Sequence, residues 1–307
     1  MSESEADIAI RKQAFQWLDA QAAIYDDAMP RKILQQGFRF QSERVRLLGP
    51  QGIFKPRCMK LPISITTIPD GPYSDSIDHD GFLRYRYRGT DPMHRDNVGL
   101  RRAKEIAAPL VYFHRIVPGK YAGAWPVFIV QDDPARLTFR VAVDDVNVGS
   151  LIEFDTLRDP NRPQIEAHFR RAYATRNFRQ RLHQSAFRER VLRAYRDQCA
   201  LCRLRHRELL DAAHIIPDAE PGGAPEVANG LSLCKLHHAA FDRFFVAVKE
   251  DYTVEVRADI LEETDGPMLL HGLQKLHGTK IIMPRSAELR PRREFLQWRY
   301  ERFRMAG

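Results

Sequence analysis

The chain has 307 residues, 44% hydrophobic and 29% charged, which excludes a low-complexity or globally disordered polypeptide and leaves room for two domains of roughly 100–200 residues each. A formal charge of +8 favours a polyanionic partner, because clustered cations gain affinity by releasing counterions condensed on phosphates. The charge is concentrated: residues 162–207 hold thirteen Arg and no Lys against Glu166, Glu189 and Asp197, a local net of +10 that leaves the remainder slightly acidic.

The opening MSESEADIAIRKQAF has no basic segment followed by an apolar one, and no stretch approaches about 18 apolar residues. The expectation is a cytoplasmic protein without membrane contact. Residues 5–25, with Ile8, Ile10, Phe15, Leu18, Ala22 and Tyr25 among polar neighbours, predict an amphipathic helix. From Gly37 to Phe154 short apolar runs alternate with Gly, Pro and Asp: RVRLLGPQGIF, LPISITTIP, FLRYRYRG, PLVYFHRIV, WPVFIVQDD and LTFRVAV. These read as strands of a mostly β domain. RDPNRP at 158–163 is a polar, turn-rich junction, and the arginine-rich segment after it reads as helix, with Phe169, Tyr173, Phe187, Val191, Leu192 and Tyr195 between the charges. The tail from Pro284 to Met305 predicts a closing helix. The domains expected are 1–157, a basic helical linker at 158–190, and 191–307.

Cys199-Ala-Leu-Cys202 and Cys234-Lys-Leu-His237 are two ligand pairs, each with two intervening residues, separated by thirty-one others. Such knuckles converge on one tetrahedral Zn²⁺ with Cys₃His ligation. Cys58 stands apart. Between the pairs lie His214 at the head of an apolar, strand-like HIIP and the turn Asn229-Gly230; His238 follows His237 directly. Phosphodiester hydrolysis needs a water deprotonated near neutral pH, which a neutral imidazole can do, and positive charge on phosphate and leaving oxygen, which a sparsely ligated divalent ion supplies. His206 and His183 have no partner at a readable spacing and are expected to be ordinary surface residues.

A cysteine pair, AHIIP, NG, LC, HH and FD in that order resemble the HNH (ββα-metal) endonuclease family in its zinc-bearing branch, over Phe187 to Val248. The resemblance implies His214 as general base, Asn229 as the residue orienting its loop, and His238 as a ligand of a catalytic Mg²⁺ or Mn²⁺. Many members carry Asp or His immediately before the base, where this chain has Ala213. Asp242, one helical turn after His238, is the first candidate substitute. Asp211, expected to share the face of His214 on one strand, is the second.

In the first half, Gly49-Pro-Gln-Gly52-Ile53, then Tyr73-Ser-Asp75-Ser-Ile-Asp78, Tyr87-Arg-Gly89 and Asn97-Val-Gly-Leu100 resemble a divergent SRA (YDG) domain, a β-barrel reader of modified cytosine, over about Val45 to Asp133. That resemblance implies a flipped base stacked between Tyr73 and Tyr87, with Asp75 or Asp78 reading its exocyclic amine. The loop from Tyr73 to Tyr87 is longer than usual, and Tyr85 could replace Tyr87. Tyr85 and Tyr87 alternate with Arg84, Arg86 and Arg88, a pattern that equally describes a half-buried strand with aromatics in the core.

The expected fold is α+β: a mostly β, SRA/PUA-like barrel, a basic helical linker and a zinc-stabilised ββα-metal domain. The expected function is a modification-dependent, type IV-like endonuclease on double-stranded DNA with modified cytosine, as a homodimer if both strands are cut. Two rival readings are an HNH nuclease with another trigger and a zinc-stabilised DNA-binding protein without catalysis.

Overall fold

The computed structural model describes residues 3–69, 76–77, 82–143, 164–264 and 266–306. The junction at 158–163 and the predicted pocket residues Tyr73, Asp75 and Asp78 lie outside them. The chain divides into two compact units, Met1–Ser185 and Ala186–Gly307. The fold is mixed α+β, with most of its strands in the first unit.

The first unit opens with α1 (Glu3–Tyr25), which buries Ile10, Ala14, Phe15 and Leu18 at helical spacing. Arg11 shares that face and is only 2% exposed, yet its guanidinium donates to the carbonyls of Pro109 and Pro62 at 2.6 and 2.9 Å. A buried cation is tolerated when its donors are satisfied. Burial still lowers its pKa to about 10. Short elements follow: β1 (Met29–Pro30), α2 (Arg31–Gln36), β2 (Phe38–Phe40), β3 (Glu43–Val45), β4 (Ile53–Phe54), β5 (Ser64–Thr67) and β6 (Ser76–Ile77). Next come β7 (Leu83–Arg86), α3 (Arg95–Glu105), β8 (Leu110–Val117), β9 (Lys120–Asp133) and β10 (Thr138–Val143). Eight of these strands form one sheet in the order β4-β5-β8-β9-β10-β7-β6, with β1 also on β9, and β2 and β3 pair with each other apart from it. Only the β5–β8 pair in it is parallel.

Strand β7 shows what its period-two sequence dictates: Leu83 and Tyr85 point into the core and Arg84 and Arg86 out of it. Tyr87 is 1% exposed and stacks on Phe139 at 4.5 Å between centroids, and its hydroxyl donates to Asp132. Asn97, fully buried, donates to the carbonyls of Arg88 and Asp91 and accepts from the amide of Arg88, so it pins the turn that follows Tyr87.

The division between units falls inside α4 (Gln164–Ala194). Beyond it the second unit runs through β11 (Leu210–His214), β12 (Gly230–Cys234), α5 (Lys235–Asp242), β13 (Val246–Val248), β14 (Val254–Val256), α6 (Ala258–Glu262), α7 (Pro267–Gly272) and α8 (Arg293–Ala306). Its core gathers Phe187, Val191 and Tyr195 of the preceding helical segment with Leu210, Leu231, Leu233, Phe241 and Leu296. The closing helix starts at Arg293 rather than Pro284, because Pro291 lacks an amide and disfavours helical backbone in the residue before it. Among the described residues no helix is long and apolar enough to cross a membrane.

Candidate active site

Strands β11 and β12 pair antiparallel, from Leu210 opposite Cys234 to His214 opposite Gly230, and α5 follows β12 without a break. The sequence placed His214 at the head of a strand; it ends one. The reason lies in Asn229, which takes over the backbone groups that would have extended the ladder: its carbonyl accepts from the amide of Ile215, its Oδ1 from the amide of Ile216 at 2.9 Å, and its Nδ2 donates to the carbonyls of Ile216 and Ala224. Asn229 is fully buried. Asn229→Ala should leave the Ile216 amide and the carbonyls of Ile216 and Ala224 without their side-chain partner and cost about 1–3 kcal/mol. Chemical denaturation reads the loss.

The His214 ring stacks on Phe187 at 4.0 Å and 18°. Gly230, opposite His214, makes room: a Cβ there would come within 2.6 Å of Val191 and 2.9 Å of Phe187. Burial holds the imidazole pKa below its ordinary value, against the pull of Asp218 and Asp242. Its Nε2 is buried and has no hydrogen-bond partner among the described residues. A neutral imidazole with an uncommitted nitrogen is what general-base chemistry requires.

His238, on α5, stands between two carboxylates. Its Nδ1 is 3.5 Å from Oδ2 of Asp211 and its Nε2 is 3.3 Å from Oδ2 of Asp242. Three residues from His214, Asp211 does not share its face as the sequence reading expected, since strand side chains alternate. It turns instead toward α5, where Lys235 donates to it at 2.7 Å, and Arg188 lies 3.4 Å away. His238 first, and Lys235 after it, hold the Asp211 carboxyl well below the usual carboxylate range. Asp242 is the more exposed of the two, and its Oδ1 lies 3.7 Å from Arg299. Arg299 is buried between the rings of Phe241 and Phe244, at 4.4 and 4.5 Å, and donates to the carbonyl of Phe241. Lys235, Arg188 and Arg299 escaped the sequence reading, which had no short-range spacing by which to find them.

Sγ of Cys199, Cys202 and Cys234 and a ring nitrogen of His237 lie within 4.8 Å of one another, and no other His, Cys, Asp or Glu cluster this tight occurs among the described residues. The sulfurs of Cys202 and Cys234 are 3.9 Å apart, and Nδ1 of His237 is 3.4 and 3.2 Å from those of Cys199 and Cys234. A tetrahedron with Zn–S of about 2.3 Å and Zn–N of about 2.0–2.1 Å has edges of about 3.8 and 3.6 Å. The donors fit zinc. His237 turns its Nε2 to the carbonyl of Gly272 at 2.7 Å, which fixes the ring and leaves Nδ1 to the sulfurs. The first knuckle is tied to the strand pair by the amide of Ala200 on the carbonyl of Ser232 at 2.7 Å.

The arginine-rich segment divides on inspection. Arg207 pairs with Asp197 and Glu189, and Arg188 donates to the carbonyl of Leu210 at 2.8 Å, so both serve the unit's own structure. Arg190, Arg193 and Arg196 are exposed, as are His183 and His206.

Residues 199–249 match the HNH endonuclease family, a family of phosphodiester hydrolases that work with divalent metal. No curated protein sequence matches the chain. Among solved structures, the chain is similar to the modification-dependent TagI restriction endonuclease, with 14% identity, a TM-score of 0.28, and coverage of 79% of this chain and 81% of that one. It is also similar to the type IV phosphorothioation-dependent restriction endonuclease ScoMcrA, with 16% identity, a TM-score of 0.22, and coverage of 79% of this chain and 50% of the other, so it spans about half that protein's length.

Proposed function

From the premise that residues 199–249 form an HNH endonuclease domain, we propose that the chain is a modification-dependent DNA endonuclease in which His214 is the general base. The observation that carries the catalytic reading is the uncommitted, buried Nε2 of a neutral His214 on a loop pinned by Asn229. In this reading His214 removes the proton of the attacking water, Phe187 holds the ring plane, and Asn229 keeps the residues after His214 from drifting. His238 with Asp211 or Asp242 would hold a Mg²⁺ or Mn²⁺ ion, whose chemistry is to neutralise charge on the phosphate and on the departing oxygen. The four-donor zinc site shapes the domain and takes no part in the reaction.

One imidazole nitrogen binds one ion, so the two carboxylates flanking His238 are alternatives. Asp211, on a paired strand and 23% exposed against 55% for Asp242, is the better-fixed ligand, although the sequence alone ranks Asp242 first. Asp211→Asn should raise the Mg²⁺ concentration for half-maximal cleavage by about 10–100-fold or more, the range known for disturbing a metal site. Asp242→Asn should raise it less. The reverse order in a metal titration of cleavage rate would transfer the role to Asp242.

The trigger rests on the resemblance of residues 45–133 to modified-cytosine readers. Tyr85 and Tyr87, whose rings are occupied in the core, leave Tyr73, Asp75 and Asp78 as the expected contacts from that resemblance. The test is a digestion panel of plain, methylated, hydroxymethylated and glucosylated DNA with Mg²⁺ or Mn²⁺, each repeated in EDTA. Cleavage confined to one modified substrate supports the reading; equal cleavage of all of them removes the modification trigger and leaves the nuclease.

A further inference from the structure

Helix α8 buries Leu296, Arg299 and Phe303 at the spacing of one helix face, so a guanidinium stands in line with apolar neighbours. Arg299 is 5% exposed, and burial pulls its pKa below the ordinary value. Its donors are only partly used. One Nη donates to the carbonyl of Phe241 at 2.7 Å, and Nε is buried with no hydrogen-bond partner among the described residues. An unpaired donor on a buried cation is costly, and an apolar side chain in its place would carry no such cost. The carbonyl of Phe241 does not depend on Arg299 either, since the amide of Phe244 donates to the same oxygen at 3.2 Å.

The guanidinium does reach a carboxylate. Packed over the rings of Phe241 and Phe244, it lies 3.7 Å from Oδ1 of Asp242, the one carboxylate within ion-pair distance of it among the described residues. Asp242 is the last residue of α5, and its side chain is 55% exposed. A carboxylate so open to solvent has several rotamers available unless a partner selects one. Its other oxygen, Oδ2, is 3.3 Å from Nε2 of His238. One carboxylate thus spans a fixed cation and the histidine, with an oxygen for each.

We propose that Arg299 is a positioning residue of the active site, which holds Asp242 by Oδ1 so that Oδ2 stays against the His238 ring. The inference rests on the reading of His238 as a ligand of the catalytic divalent ion. It holds whether Asp242 shares that ion or steadies the ring that does. The site thereby extends to the closing helix, outside residues 199–249. The sign of the effect separates positioning from charge. A cation beside a metal site repels the ion, so its removal would tighten metal binding if charge alone acted. Loss of positioning weakens it.

The test is Mn²⁺ binding by full-length protein that keeps its zinc, followed through the electron paramagnetic resonance signal of the free ion. Wild type is compared with Arg299→Met, Arg299→Lys, Asp242→Asn and the double variant Arg299→Met/Asp242→Asn. Arg299→Met is expected to weaken binding about tenfold, the low end for a group behind a metal ligand, and to cause no further loss in the Asp242→Asn background. Arg299→Lys, which keeps the charge without the fork, should fall between wild type and Arg299→Met. Equal loss in both backgrounds, or binding by Arg299→Met as tight as wild type or tighter, overturns the inference and leaves the nuclease reading standing. If Arg299→Met does not fold, the same cycle built on Arg299→Lys decides by the same rule. His238→Ala tests the reading itself: if this variant binds Mn²⁺ as wild type does, the ion is not at His238, and the metal-ligand reading falls together with the inference that rests on it.

Discussion

His214→Ala is expected to lower the cleavage rate by about 10²–10⁴-fold or more while DNA binding stays close to wild type. On the proposed reading the substitution removes the proton acceptor without touching a phosphate contact, so the transition state would lose stabilisation that the bound ground state never had. Single-turnover cleavage and a binding isotherm on the same DNA separate the two, and wild-type cleavage by this variant would remove His214 from the reaction. His214 as the proposed base also sets a pH signature. Burial keeps the His214 pKa below its ordinary value of about 6.5, so the neutral, working form survives into more acidic solution than a free imidazole would. Cleavage should fall only as pH drops through that lowered pKa, and an acid limb with a midpoint above about 6.5 would contradict the assignment. The same shift couples to stability. The unfolded chain takes up the proton first, so this group's contribution is present above its unfolded pKa and is lost as pH falls through the folded one.

Cys199→Ser and Cys234→Ser are expected to make the second unit thermally labile or insoluble. The donors come from the knuckle before β11, the end of β12 and the first turn of α5, so the site joins three segments around one centre. Structural zinc binds with an apparent free energy of about 10–16 kcal/mol. That is comparable to the whole stability of an ordinary domain, about 5–15 kcal/mol. Elemental analysis should find about one tightly held zinc per folded chain, as a closed four-donor site requires. Cys58→Ser, outside the cluster, serves as the control and should keep zinc and melting temperature near wild type. Folded, zinc-free wild-type protein would overturn the assignment.

What could be read ahead of the structure was local chemistry. Two pairs with two-residue spacing forecast a convergence of ligands across thirty-one residues, because a knuckle and a helix start are each set by their own few positions. Alternation in FLRYRYR described a half-buried strand as well as base-stacking tyrosines, and the structure buries Tyr85 and Tyr87, with the Tyr87 ring stacked on Phe139. Contacts between distant positions were out of reach. Asp211 meets His238 across 27 residues and Asp242 meets Arg299 from another helix, and nothing within a sequence window couples those positions. The strand end at His214 was misjudged for the same reason: the apolar run after it continues, but Asn229 claims its amides from thirteen residues away.

His237 and His238 are neighbours on α5, one facing the sulfurs and the other the carboxylates. If both proposed metals are bound, chelation of this protein is two events with different clocks. On the proposed reading, an ion held loosely at His238 would leave at once and return on adding Mg²⁺, so early loss of activity in EDTA is expected to be reversible. Zinc is withdrawn slowly, and with it goes the turn of α5 that carries His238, so long incubation should cause loss that Mg²⁺ alone no longer restores. Order of addition and time of exposure thus separate the two metals in one tube, without any substitution in the chain.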